Sequence, residues 1–253
     1  MKYIILGASS GLGREIAYLL AEKKNDLIII SRDVRDLRAI KYNLEIQYKI
    51  NVIYFELDLS SFEKIQKFFD SNTDITEEID GILIPAGMVL ENDVIENKIE
   101  NSNSIIQANL GSIIYFISKF LPTFIKKNKG TIVGFGSISA MFGREKNVVY
   151  AAAKRALESF FESLEISLAS TKLNIQFYIL GYIDTNLSYA KELILPKGSA
   201  KKLAHIVLNN LNKNSIKLFF PYWWKYINIF YKFIPFFFLK IFYKIVLKKE
   251  INE

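Results

Sequence analysis

The sequence predicts an α/β fold, a doubly wound parallel sheet of about seven strands with helices on both faces, extended by a C-terminal aromatic helical tail. Three observations lead there. Short apolar runs alternate with longer stretches of helical periodicity from residue 2 to about residue 220, the pattern of parallel strands joined by crossover helices. A glycine-rich turn follows the first apolar run directly. Hydrophobic residues make up 51% of the 253 residues, enough for one large buried core.

The first strand, Tyr3–Leu6, runs into Gly7-Ala8-Ser9-Ser10-Gly11-Leu12-Gly13, and an amphipathic helix follows over Leu12–Lys23. A glycine turn between a first strand and its helix brings backbone amides close to a pyrophosphate, and the helix N-terminus favours the negative charge. Gly7, Ser9, Ser10, Gly11, Leu12 and Gly13 are therefore candidate dinucleotide contacts. The spacing is G-x-x-x-G-x-G rather than G-x-G-x-x-G. The second strand, Leu27–Ser31, ends in Ser31-Arg32, where an acidic residue would bind a ribose 2′-hydroxyl and a basic one accommodates a 2′-phosphate. Asp33 comes one position late for a ribose ligand and fits the N-cap of the helix Val34–Tyr48. Arg14 adds a second positive charge nearby, so NADP(H) is the expected cofactor.

A third strand, Asn51–Glu56, precedes Asp58-Leu59; Asp58 either holds an adenine amino group or caps the helix Ser61–Phe69. The fourth strand, Gly81–Ile84, is followed by Pro85-Ala86-Gly87, then a long helix over Ser104–Lys127 that carries Asn109. The fifth strand, Gly130–Phe135, leads through Gly136 to Ser137, and the helix Asn147–Ala169 carries Tyr150 and Lys154. After the sixth strand, Asn174–Leu180, come Gly181, Ile183 and Thr185, then a segment, Asp184–Gly198, expected to form a substrate loop. The helix Ala200–Leu211 and a final strand, Ile216–Phe219, complete a body over residues 1–219, with residues 220–253 as an extension.

Tyr150 and Lys154 stand at i and i+4 and so share one helix face. A nearby ammonium favours the phenolate and lowers a phenol's pKa, which makes a proton donor and acceptor usable near neutral pH. Tyrosine and lysine are abundant here, and the pattern alone is weak; its neighbours give it meaning.

Composition removes other chemistries. No cysteine is present, which excludes disulfides, thiol nucleophiles and thiolate metal sites. The single histidine, His205, reads as a helix-surface residue, and no metal site is expected. The net charge of +7 would suit nucleic acid or an anionic membrane surface. The lysines are dispersed and concentrate towards the C-terminus without a nucleic-acid-binding signature, so no nucleic-acid partner is expected. The chain enters a strand almost at once, and the catalytic body is expected to be cytoplasmic.

Taken in order, these residues resemble the classical short-chain dehydrogenase/reductase family, over residues 1 to roughly 215. The glycine turn is similar to its T-G-x-x-x-G-x-G motif with Leu6 in place of threonine. Asp58-Leu59 resembles its adenine-site motif, Ala108-Asn109-Leu110-Gly111 its helical asparagine motif, and Ser137, thirteen residues before Tyr150, its serine. Tyr150 and Lys154 match Y-x-x-x-K, and Leu180-Gly181-Tyr182-Ile183-Asp184-Thr185 resembles P-G-x-x-x-T with leucine for proline. Ile84-Pro85-Ala86-Gly87 stands where the family has N-N-A-G, both asparagines lost.

The resemblance implies a Rossmann-like fold and a nicotinamide-dependent interconversion of a ketone and a secondary alcohol. Tyr150 would carry the proton, Lys154 would lower the Tyr150 pKa and hold the nicotinamide ribose, and Ser137 would bond the reacting carbonyl. Asn109 would hold a water in a proton relay, and Ala86, Gly87, Gly181, Ile183 and Thr185 would line the cofactor. It further implies a homo-oligomer, dimer or tetramer.

The tail is the least family-like part. Residues 221–249 are dense in aromatics and regularly interrupted by lysine, and the longest uncharged run, Phe233–Leu239, is far short of a bilayer span. In helical projection Lys225, Asn228 and Lys232 share one face with Trp224, Ile227, Tyr231 and Ile234 opposite, Pro235 breaks the helix, and Lys240, Lys244 and Lys248 form a second stripe. This reads as a peripheral membrane attachment at the inner face, or as an apolar cover over the pocket or a subunit contact. Similar tails occur in relatives acting on lipid-linked substrates, including those resembling polyprenyl-phosphoryl sugar 2-epimerase reductase subunits. The expected substrate is accordingly a hydrophobic or lipid-linked ketone. The alternatives are a reductase subunit of such an epimerase and a catalytically silent NADP-binding regulator.

Overall fold

The structure, a computed structural model, describes residues 1–90, 93–94, 99–143, 146–184, 196–213, 215–238 and 240–241. Thr185, most of the expected substrate loop and the tail beyond residue 241 lie outside the described residues.

Seven parallel strands form one sheet: β1 (Lys2–Leu6), β2 (Asp26–Ser31), β3 (Val52–Glu56), β4 (Gly81–Ile84), β5 (Gly130–Ser137), β6 (Leu173–Leu180) and, after a small pair, β9 (Ile216–Phe220). Their order is β3-β2-β1-β4-β5-β6-β9, so the chain reverses direction across the sheet between β1 and β4. In open α/β sheets that switch point opens a crevice at the carboxyl ends of the strands. The strands are β-branched and aliphatic because side chains on both faces are covered. Ile4, Leu6, Ile28, Ile30, Ile82 and Ile84 join one core cluster, whereas their alternates Tyr3, Ile5, Leu27, Ile29 and Leu83 join the other.

Helices α1 (Gly11–Glu22), α2 (Val34–Tyr48) and α7 (Ala200–Asn210) cover one face, with Ile16, Leu20, Leu37, Ile40, Leu203 and Val207 buried. Helices α3 (Phe62–Ser71), α5 (Ser112–Lys127) and α6 (Val148–Ser167) cover the other. There Phe69, Phe116 and Phe120 pack with ring centroids 4.9–6.0 Å apart. His205 is exposed on α7, as expected.

The long predicted helix differs from the expectation in two ways. It begins earlier, with α4 (Ile99–Ile106), and a π-helical turn over Gln107–Gly111 separates α4 from α5. Residues 101–127 are long and apolar enough to cross a membrane by composition, yet Ile113, Phe116, Ile117, Phe120 and Phe124 are core residues under the sheet. A miniature pair, β7 (Ile183–Asp184) with β8 (Gly198–Ser199), was not anticipated, because two-residue strands carry no periodicity. The tail contributes α8 (Trp224–Lys232), and the helix stops before Pro235, which lacks the N–H to continue it.

Candidate active site

The glycine turn sits at the switch point. Gly7 has φ of 91°, and a Cβ on it would lie 2.8 Å from the Ala86 Cα, so β1 and the segment after β4 touch only because position 7 lacks a side chain. A Cβ on Gly13 would collide with the Gly7 carbonyl, and that fold-back brings the start of α1 under the turn.

The helix caps distinguish α1 from its neighbours. Asp33 caps α2, Ser61 caps α3 and Ser199 caps α7 through their side chains. At α1 the N-cap residue Ser10 makes no side-chain cap bond. The first amides of α1 have no acceptor within the helix, and they carry the positive end of its dipole. A cradle of glycines with uncapped amides fits the pyrophosphate of a dinucleotide.

At the end of β2, the Ser9 and Ser31 hydroxyls are 2.8 Å apart, and Arg32 is exposed beside them. Arg14 is engaged more than expected. Its Nε bonds the Ser9 carbonyl at 2.9 Å and its Nη2 pairs with Asp36 Oδ2 at 2.9 Å, so it ties the turn to α2. Asp33 is the α2 cap, accepting from Asp36 N at 3.0 Å.

Asp58 Oδ1 accepts the backbone N–H and hydroxyl of Ser60 at 3.0 and 2.7 Å. Burial opposes its ionisation, but these bonds, with Lys64 and Arg32 nearby, outweigh burial and hold its carboxyl below the ordinary value. The cap of α3 is Ser61, not Asp58. The Leu59 carbonyl accepts the Ser112 hydroxyl, anchoring this loop to α5.

Asn109 lies in the π turn and is fully buried. Its Oδ1 accepts from Met88 N at 3.1 Å, and its Nδ2 donates to Met88 O at 2.8 Å and Ile105 O at 2.9 Å. The wider turn and the side-chain bond to the carbonyl four residues back belong together. Both amide donors are thus committed to the main chain, so any water held here would need the oxygen side of the residue.

Gly87 packs between the two polar groups of the site. A Cβ there would lie 3.3 Å from Asn109 Oδ1 and 3.7 Å from Lys154 Nζ. Ile84 and Pro85 carry no polar side chain, whereas Ala86 and Gly87 keep the close approach.

Lys154 is 3% exposed, and its Nζ donates to the Phe135 carbonyl at 3.1 Å. No ion pair joins it to a carboxylate among the described residues. Burial lowers its pKa from 10.5 to about 8. The ammonium is 5.9 Å from the centroid of the Tyr150 ring. Ser137 ends β5, two residues beyond the predicted strand end, and its Oγ accepts from Ser139 N at 3.1 Å, leaving the hydroxyl proton to donate.

Asp93 was not anticipated. It is fully buried, and its two carboxylate oxygens accept the N–H groups of Val149 at 2.9 Å and Tyr150 at 2.8 Å, while its carbonyl accepts Val148 N at 3.3 Å. Asn147 precedes α6 in a left-handed conformation and supplies no cap. The sequence carried no trace of the Asp93 contact, since Asn147 is itself a favoured cap residue and only its left-handed backbone rules it out. Asp93 lies more than fifty residues away and has no motif of its own.

Gly181 follows β6, with its N–H on the Phe220 carbonyl at 2.7 Å, and Ile183 is buried in β7. A cleft of about 190 Å³ reaches from Ser137 and Met141 across Arg155, Ile179 and Phe219 to Asn228 and Lys232 of α8. Among the described residues no cluster of histidine and acidic side chains could hold a metal ion.

A family model described as short chain dehydrogenase matches residues 2–193, and the chain belongs to the short-chain dehydrogenase/reductase family. It is accordingly an oxidoreductase dependent on a nicotinamide cofactor. An NADP-dependent 3-hydroxy acid dehydrogenase of Schizosaccharomyces pombe is 32% identical over 193 residues, 74% of this chain and 73% of that protein. The protein 11-beta-hydroxysteroid dehydrogenase-like 2 of Arabidopsis thaliana is 28% identical over 233 residues, 88% of this chain and 74% of that one. Among solved structures, a short-chain dehydrogenase from Sphingobium yanoikuyae in complex with NADPH has a TM-score of 0.79 at 20% identity, covering 87% of each chain.

Proposed function

We propose that this protein uses NADP(H) to interconvert a ketone and a secondary alcohol, with Tyr150 as acid and base. The observation that carries this reading is the buried Lys154 ammonium, without a carboxylate partner among the described residues, on the same helix face as Tyr150 and 5.9 Å from its ring. An uncompensated cation there favours the phenolate, so Tyr150 can give or take a proton near neutral pH. The Ser137 hydroxyl, oriented by Ser139 N, donates to the substrate oxygen where negative charge develops. Asn109 shapes the helix behind Lys154 and fixes the Met88 main chain.

The nicotinamide cofactor, when bound, supplies or accepts the hydride. Gly7, Ser9, Ser10, Gly11, Leu12 and Gly13 would hold its pyrophosphate, and Ser31, Arg32 and the turn-bracing Arg14 the 2′-phosphate end. Asp58 and Leu59 would flank the adenine. Ala86, Gly87, Tyr150, Lys154, Gly181, Ile183 and Thr185 would line the remainder. The preference for NADP(H) rests on the absence of a carboxylate at positions 31 and 32 and the presence of Arg32. Tyr150→Phe tests the assignment: NADPH should bind as before, while ketone-dependent NADPH oxidation falls by at least about 100-fold. Turnover retained in that variant would remove Tyr150 from its role, and an NADPH-binding wild type without turnover on any ketone would favour the silent regulator.

A specific observation favours a hydrophobic or lipid-linked substrate at a membrane surface. Trp224, Ile227, Tyr231 and Ile234 are the covered side of the tail, whereas Tyr226, Ile229, Phe230, Phe233 and Phe236–Phe238 are exposed beside Lys225, Lys232 and Lys240. Exposed aromatics with interspersed lysines suit the interface of an anionic bilayer. Residues 1–219 then form the catalytic body and 220–253 an extension at the inner, cytoplasmic face. Vesicles containing phosphatidylglycerol should sediment the full chain, and Phe230→Ser with Phe233→Ser and Phe237→Ser should abolish it. Concentration-dependent light scattering that instead shows the same triple variant dissociating an oligomer would assign these rings to a subunit contact.

A further inference from the structure

We propose that Trp224 is a positioning residue for the oxidoreductase site, and that its indole sets the path of residues 181–184 at the end of β6. This rests on the reading above in one respect, that Gly181 and Ile183 face the nicotinamide end of the cofactor.

A Cβ on Gly181 would collide with Nε1 and Cδ1 of Trp224, so the indole occupies the volume that any other residue at 181 would need. Trp224 is 6% exposed and belongs to the core cluster that also contains Phe161, Phe177 and Ile179. Its ring meets Tyr182 edge-on at 5.9 Å and stacks on Trp223 at 4.4 Å. Trp224 therefore closes the core beneath Gly181–Tyr182 from the C-terminal side.

The neighbouring contacts hold the same segment. Gly181 N donates to the Phe220 carbonyl at 2.7 Å, and Gly198 N donates to the Tyr182 carbonyl at 2.7 Å. A Cβ on Gly198 would lie 2.7 Å from the Phe220 ring and 3.1 Å from Pro221. The junction from β9 into α8 thus wraps Gly181, Tyr182 and the β7–β8 pair. At its far end α8 stacks Tyr231 on Phe142 at 4.5 Å, just beyond the turn that follows Ser137. The helix therefore joins the turn after Ser137 to the segment that follows β6.

The tryptophan nitrogen adds a second observation. Trp224 Nε1 is buried and makes no hydrogen bond among the described residues. A hydrogen bond does not seat this side chain; the shape of the ring against Gly181 does. A phenyl ring should then serve nearly as well, and a methyl group should not.

The test uses the full chain with Trp224→Ala, Trp224→Phe, Trp223→Ala, Gly181→Ala and the double variant Gly181→Ala/Trp224→Ala. Hydrogen exchange of the apo-protein over residues 181–184 should quicken at least about tenfold in Trp224→Ala and remain near wild type in Trp224→Phe and Trp223→Ala. Calorimetric titration with NADPH should give a Kd raised at least about tenfold by Trp224→Ala and by Gly181→Ala. The double variant should be no worse than either single one, because removal of the indole makes room for the new methyl. Wild-type exchange in Trp224→Ala, or additive losses in the double variant, would overturn the proposal. A wild-type chain that fails to bind NADPH would overturn the cofactor reading instead, and exchange alone would then decide the role of Trp224.

Discussion

Asp93 Oδ2 accepts the backbone N–H of Tyr150 at 2.8 Å, so a buried carboxylate from a distant loop holds the first turn of the helix that carries Tyr150 and Lys154. The negative charge faces the positive end of α6, where it stabilises the helix and substitutes for a local cap. The position of the Tyr150 main chain depends on a residue that makes no contact with the cleft beside Ser137.

Replacement of Asp93 should therefore affect stability and turnover together. Asp93→Ala takes the acceptors from the partly buried N–H groups of Val149 and Tyr150, a loss of about 1–3 kcal/mol, and Asp93→Asn should lose less because one oxygen remains. We expect kcat to fall roughly tenfold or more in the alanine variant, since displacements of about 1 Å are costly in a preorganised site. Thermal unfolding and steady-state kinetics on the same preparations check this; unchanged values for Asp93→Ala would refute it.

Lys154 gives a pH prediction with a definite sign. Its folded pKa is about 8, below the 10.5 of the unfolded chain. Below pH 8 both states hold the proton, and the cost of burying the charge is present in full. Between pH 8 and 10.5 the unfolded chain binds the proton that the folded chain has lost, so the cost is relieved and stability rises with pH. Lys154→Met should accordingly be more stable than wild type at pH 7, by about 2–3 kcal/mol or roughly 5–10 °C, and nearly inactive. The difference between the two proteins should shrink as pH approaches 10.5; a constant difference would mean that the ammonium carries no burial cost.

The π turn makes Asn109 structurally specific. Asn109→Ala removes all three side-chain bonds, two of them to the main chain of Met88, for a loss of about 2–3 kcal/mol. Far-ultraviolet circular dichroism should stay close to wild type, while the melting temperature and kcat both drop. An alanine variant with wild-type melting would show that the helix re-forms a regular α turn without penalty.

Cofactor choice is open to a single substitution. Ser31→Asp would place a carboxylate against the Ser9 hydroxyl, where it repels a 2′-phosphate and accepts from a ribose 2′-hydroxyl. KM for NADPH should rise about tenfold or more and KM for NADH should fall. A wild-type enzyme that already prefers NADH would contradict the role given to Arg32.

Much of this architecture was legible in one dimension. Strand and helix periodicities placed all seven strands of the main sheet, because each element buries a regular stripe of its own residues. The glycine turn, the Asp33 cap and the Tyr150–Lys154 pair were legible because each is defined by neighbours a few positions away, whereas Ser137 was legible through its place in the family's ordered pattern. The π turn at Asn109 was not, since a five-residue hydrogen bond has no propensity signature. Nor was the ion pair that ties Arg14 to Asp36 on the next helix.

By itself, the sequence determined the sheet and the glycine turn, and it singled out Asn109, Ser137, Tyr150 and Lys154 as candidates for the chemistry. Only the tertiary structure decided what holds them in place: Asp93 at the start of α6, Gly87 between Asn109 and Lys154, and Trp224 against Gly181. The physical reason is the range of the interactions. Periodicity and capping act within a few residues, whereas a buried carboxylate finding a helix end, or an indole filling the space beside a glycine, joins segments that only the folded chain brings together.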